Sequence, residues 1–232
     1  MSIEDLGMST LACSPGQHNA DWAAYMDACI AALVKEVKGK DRGNVTVPYP
    51  DPDVEVICRK VGDGHPLRLW RVTTEVEAPP EELLQRLLRE RHIWDDSLQK
   101  WRIVAKLDHQ SEVFQYLCAS MPPKKVNDFC VLRCWRSDIG RGGGSCALVE
   151  TSVSHPDANQ VDESNRGVVL VSRYLVTPCG SGKSRVTHVS RVDLRGRAPE
   201  WYNKVYGWLA ANMIVRLRDS FKHNAQGPES KV

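Results

Sequence analysis

The stretch from Asp193 to Phe221 constrains this chain more than any other. Gly196 ends a strand, and Pro199 falls where a first helical turn tolerates a missing N–H, so the chain passes from sheet into a helix of about six turns. At about 100° per residue, Trp201, Val205, Trp208, Leu209, Met213 and Val215 cover one broad apolar arc. Tyr202, Tyr206 and Leu217 widen it, while Lys204, Gly207, Ala211 and Arg218 hold the narrow remainder. Such an arc needs a large concave partner. Two polar groups, Asn212 and Arg216, project into it, which is costly unless something in a cavity answers them. Gly207 interrupts the helix at about 1 kcal/mol relative to alanine, which points to a close approach or to local give. The plainer alternative is a packed final helix with no ligand.

The partner can be read upstream. From Asn19, the residues Trp22, Tyr25, Met26, Cys29, Ile30, Leu33, Val34 and Val37 repeat with helical spacing. Residues 54–61 and 67–76, joined by Gly-Asp-Gly-His-Pro, form an antiparallel hairpin. Pro79 and Pro80 open a short helix with Glu81 and Glu82 at its start and a stripe of Leu83, Leu84, Leu87 and Leu88. Six further strands follow, over residues 101–107, 112–118, 128–136, 146–153, 168–176 and 185–194, separated by short polar or glycine-rich loops. The fold class is therefore α+β, a curved antiparallel sheet gripping a long C-terminal helix. One domain is expected over residues 18–223, between a flexible lead-in (1–17) and a tail (224–232).

Composition excludes several functions. A formal charge of +2 over 232 residues, with the basic residues scattered, gives no footprint for nucleic acid. Eight cysteines without any CxxC pair read as reduced core thiols, so neither disulfides nor a metal is expected. The absence of a signal-peptide pattern and of a long apolar run points to the cytoplasm. Gly180-Ser181-Gly182-Lys183-Ser184 imitates the end of a phosphate-binding loop, but position 177 is Thr and a strand follows where the loop needs a helix. No catalytic constellation or cofactor site stands out among the seven scattered histidines, and Asp95-Asp96 reads as a solvated loop pair.

One strand carries more. In Asp128-Phe129-Cys130-Val131-Leu132-Arg133-Cys134-Trp135, a period of two puts Phe129, Val131, Arg133 and Trp135 on one face. A guanidinium among large apolar groups either snorkels to water or sits in a cavity, held for an anionic or carbonyl-bearing ligand or for an acid such as Glu150. His188 has a weaker claim to the same space, a satisfied core histidine being the alternative.

These residues resemble a START domain, the lipid-transfer domain with a helix-grip fold. Asp128 to Arg133 matches the family's Asp-aromatic-x-Val-x-Arg strand, and Asp193-Leu194-Arg195-Gly196 with Pro199 and Trp201 matches its approach to the last helix. The segments 61–70, 88–95, 174–180 and 199–202 are similar to the C-terminal START domain of the deleted-in-liver-cancer group of Rho GTPase-activating proteins. The resemblance implies a tunnel for one lipid between sheet and last helix, walled by Phe129, Val131, Arg133, Trp135, His188, Trp201, Val205, Trp208, Leu209 and Asn212. It also implies peripheral membrane contact and a linked Rho GTPase-activating domain. In the sterol-carrying branch an acid pairs with the arginine at 133; here Phe114, Gln115 and Tyr116 stand in its place, which favours an anionic phospholipid over sterol. The rival readings are a protein-interaction domain whose cavity is filled by Trp70, Trp135, Trp201 and Trp208, and an enzyme on the same scaffold. Gly207 and the Gly142–Gly144 loop are the expected points of give for ligand entry.

Overall fold

The computed structural model describes residues 11–12, 19–39, 43–120, 126–140 and 142–222. Most of the expected lead-in and the whole expected tail lie outside them; within the lead-in, β1 (Leu11–Ala12) pairs in parallel with Val153–Ser154.

The longer remaining elements follow the sequence pattern, whereas the short β2, α3 and β9 were not expected from it. They are α1 (Asn19–Lys38), β2 (Val45–Thr46), β3 (Glu55–Arg59), β4 (Leu69–Val76), α2 (Pro80–Arg89), α3 (Arg91–Trp94), β5 (Leu98–Lys106) and β6 (Ser111–Ala119). After them come β7 (Val126–Ile139), β8 (Ser145–Ser154), β9 (Asn165–Arg166), β10 (Val168–Gly180), β11 (Lys183–Asp193) and α4 (Pro199–Asp219). The strands form one sheet in the order β2-β3-β4-β11-β10-β8-β7-β6-β5, with β1 and β9 attached to β8 and β7. Along that order every pairing is antiparallel. The Gly180–Lys183 segment is the turn of the β10–β11 hairpin, consistent with rejection of a phosphate-binding loop.

Alternation along the strands gives the sheet two apolar faces. Cys130, Leu132 and Cys134 of β7 point outward and pack with Met26 and Cys29 of α1; Leu33 of α1 extends this contact to Ala147, Leu175 and Val189. The opposite face carries α2 and α4, whose Leu83, Leu87, Tyr202, Tyr206, Ala210, Ile214 and Leu217 pack with Val72, Leu148, Tyr174 and Val186. Each helix begins with proline at its first position. Arg86 of α2 closes the end of α4 by donating from Nη1 to the Ser220 carbonyl at 3.1 Å, with its guanidinium 4.1 Å above the Phe221 ring.

The face that α4 buries differs from the expected arc. Its buried residues are Tyr202, Tyr206, Gly207, Ala210, Ala211, Ile214 and Leu217, whereas Trp208 is 56% exposed. Small residues at 207, 210 and 211 let the helix axis approach the sheet, and bulk is what the contact excludes.

Candidate functional site

Between the inner face of the sheet and α4 lies a cavity of about 480 Å³. Its apolar wall includes Phe129, Val169, Val192, Leu194, Trp201, Leu209, Ala210 and Met213. Ala119, Arg195, Gly196, Arg197 and Arg216, which also line it, are exposed and mark where it meets solvent. The rim is shaped by two successive left-handed residues, Arg195 (φ 60°) and Gly196 (φ 80°), with the Arg195 N–H held 2.8 Å from Asp193 Oδ1.

Two polar groups of residues stand inside. The first is set by one helical turn: Arg91 Nε donates to Asp95 Oδ2 at 2.8 Å, and the guanidinium lies 4.3 Å above the Tyr116 ring. Asp95 is buried and also accepts from the Ser97 hydroxyl at 2.6 Å. Burial pushes its carboxyl up, but the charge of Arg91 and the Ser97 bonds outweigh this and hold it below the usual carboxylate range. The expectation of a solvated acid pair thus holds only for Asp96, whose side chain is 79% exposed.

The second polar group runs across the sheet, because β8, β10 and β11 align Glu150, Ser172 and Ser190 in register. Ser172 Oγ lies 3.3 Å from Glu150 Oε1 and 3.1 Å from His188 Nε2. Tyr206 of α4 donates to Ser190 Oγ at 3.0 Å. His188 stacks on Tyr174, ring centres 4.0 Å apart. Burial, with the nearby charge of Arg91, pulls its pKa down to about 3, so the imidazole is neutral.

Of the sequence-predicted site residues, Phe129, His188, Trp201 and Leu209 line the cavity; Val131, Arg133, Trp135, Val205, Trp208 and Asn212 do not. Val131 lies behind the wall in the cluster of Phe114, Tyr116 and Phe129. Asn212 is answered by Tyr49, whose hydroxyl donates to Oδ1 at 2.6 Å. Trp70, one of the possible fillers, is buried against Gly207 instead: a Cβ there would stand 2.1 Å from Trp70 Cζ3. Gly207 therefore serves close approach. The Gly142–Gly144 loop follows the end of β7 opposite to Asn127 and Phe129, away from the cavity wall.

Arg133 requires the largest correction. It is buried and pairs with Glu112, Nη2 to Oε1 at 2.6 Å, while also donating to the Leu88 carbonyl at 3.0 Å. Its guanidinium lies 3.6 Å over Phe114, and Glu112 is held in addition by Arg89 at 2.7 Å. The acid is present after all, two residues before Phe114, so Arg133 is not free for a phosphate. The arginine paired with a buried acid on the cavity wall is Arg91, itself only partly exposed. Its spacing of four from Asp95 was visible within the segment 88–95, but the loop-like pattern around it concealed the short helix α3.

The START domain family model matches residues 24–227. This chain belongs to the START domain family. The START domain is 46% identical over 232 residues to human StAR-related lipid transfer protein 13, spanning all of this chain and 20% of that protein. It is 47% identical over 212 residues to mouse Rho GTPase-activating protein 7, spanning 91% and 19% respectively. Among solved structures it resembles the human StarD13 (DLC2) lipid transfer and protein localization domain, with a TM-score of 0.73 and 48% identity over 83% of this chain and 95% of that one. Human StAR-related lipid transfer protein 5, at 17% identity, shares the fold with a TM-score of 0.79 over 90% of this START domain and all of that chain. The START domain thus spans about a fifth of the curated relatives it matches.

Proposed function

We propose that this START domain holds one lipid between its sheet and α4, and that it acts as a regulatory or targeting module of a Rho GTPase-activating protein with peripheral membrane association. The observation that carries the reading is the cavity of about 480 Å³, within the roughly 300–1,000 Å³ of small-molecule sites, with apolar walls around buried polar groups. About ten buried methylenes at ~0.8 kcal/mol each would supply on the order of 8 kcal/mol before ordering costs. The linked activity is supported by the relatives named Rho GTPase-activating protein, of which the chain matches about a fifth. Among the described residues no helix is long and apolar enough to cross a membrane.

An anionic phospholipid remains the preferred ligand, on different residues than the sequence indicated. Arg91, Arg195, Arg197 and Arg216 line the cavity against two carboxylates, Asp95 and Glu150. Phe129, His188, Trp201 and Leu209 are the expected contacts from the original set. Open volume beside Trp201 argues against a filled, purely protein-binding fold. Ser172 and His188 are close enough for a nucleophile and base, but an imidazole whose pKa is pulled to about 3 is a poor base, which favours binding over catalysis. The test is Ala210→Phe, which adds a ring at the buried cavity wall. Extraction of labelled phospholipid from vesicles should fall about tenfold or more, the equivalent of roughly 1.4 kcal/mol. Undiminished extraction by a folded variant would place the lipid elsewhere.

A further inference from the structure

Strand β5 ends the sheet. Its neighbour on one side is β6, and among the described residues no strand pairs with its other side. An open edge of this kind presents a row of backbone N–H and C=O groups that another extended chain can answer. Five consecutive residues, Gln99 to Ile103, are exposed. Trp101 and Ile103 share one face of the strand and are 46% and 40% exposed. The indole of Trp101 is held in place before any partner arrives: it stacks on His92 of α3, ring centres 5.2 Å apart and planes within 5°. Beside it, Gln99, Lys100, Trp101, Arg102, Leu117 and Val161 border a recess of about 480 Å³. This surface shares only Tyr116 with the lipid cavity, so it stands independently of the lipid-binding reading.

Charge selects the occupant. Lys100, Arg102 and Lys106 give β5 three cations and no acid. Arg102 is held by neutral oxygens, Gln115 Oε1 at 2.8 Å and the Asp157 carbonyl. Glu112, opposite Lys106 on β6, is already taken by Arg89 and Arg133. Asp162 and Glu163 adjoin Val161 but do not line the recess. A second copy of β5 would bring like charges together across the new pairing, which is destabilising. A lipid surface would leave the backbone groups of the edge unanswered. An extended acidic segment answers both the backbone and the cations. We infer that β5 is a docking edge for an acidic peptide segment of a protein partner, which adds a strand beside residues 100–103 and seats an apolar side chain in the recess next to Trp101. The register of β5 shifts between Leu98 and Lys100 and again between Ile103 and Ala105, so residues 100–103 are its regular part.

The test is selection of random dodecapeptides, displayed on phage, against the immobilised whole chain. Enriched sequences should be rich in Asp and Glu with interspersed apolar residues. Amide hydrogen exchange should show that a synthetic copy of an enriched peptide protects Leu98–Lys106, and raising the salt concentration should weaken its binding to the unmodified chain. Lys100→Glu combined with Arg102→Glu, and separately Trp101→Ala, should each reduce its affinity by about tenfold or more in fluorescence anisotropy. Extraction of labelled phospholipid by these variants should match wild type, which also shows that they fold. Peptides with no excess of acids, protection confined to other segments, or no enrichment at all overturns the inference. Vesicles of phosphatidylserine and phosphatidylcholine form a second arm. Binding to them that Trp101→Ala abolishes, with no peptide selected, would assign the edge to a membrane and overturn the peptide reading. A dimer in sedimentation that Trp101→Ala dissociates would assign it to a second copy and overturn it likewise.

Discussion

The indole of Trp70 occupies the space in which a side chain at Gly207 would stand, Cζ3 lying 2.1 Å from the position of a Cβ there. Alanine is ordinarily the better helix former by about 1 kcal/mol. Here the overpacking cost of about 1–3 kcal/mol dominates, because Trp70 is itself buried among Val72, Tyr206 and their neighbours. Gly207→Ala should therefore lower the melting temperature. A rise would mean that Trp70 moves aside freely.

Glu112 is clamped by Arg89 and Arg133 in a largely buried cluster. Glu112→Gln leaves Arg133 buried without its counter-charge and should cost about 3–5 kcal/mol in urea unfolding. Burial pushes the Glu112 carboxyl up, but Arg89 and Arg133 outweigh it and the native pKa lies below the ordinary value. The pair's stabilisation is thus present above the unfolded carboxyl's range and is lost as pH falls through the lowered native value. The difference between wild type and variant should shrink on acidification; a constant difference would contradict the assignment.

Asp63 supplies a second acid-sensitive contact. Its carboxyl accepts from Arg191 at 2.5 Å and is pulled down to about 2, first by that bond. The contribution is present above the unfolded value near 3.9 and disappears as pH falls through about 2. Melting curves of Asp63→Asn and wild type should therefore converge between those limits and differ at neutral pH.

The longer elements were legible in the sequence because each has its own punctuation and period. Prolines 80 and 199 open helices, and the Gly-Asp-Gly-His-Pro turn joins β3 to β4. The partner of Arg133 was not legible. Glu112 stands directly opposite it across the β6–β7 pair, yet those strands are joined by a connection rather than a two-residue turn, so loop length does not fix the register. A slip of two residues keeps the faces right and names Phe114 instead. The face of α4 was misread for another reason. Tryptophans dominate an apolar arc, whereas Gly207, Ala210 and Ala211 make the closest contact because they are small. The Glu150–Ser172–His188 group needed three strands in register, and pattern along any one strand carries no trace of it.

The central claim, an interior that houses one lipid, is tested most directly by native mass spectrometry of the folded chain after exposure to mixed phospholipid vesicles. The account predicts a single adduct of lipid mass that organic extraction removes. A bare protein mass, with native circular dichroism retained, would contradict it.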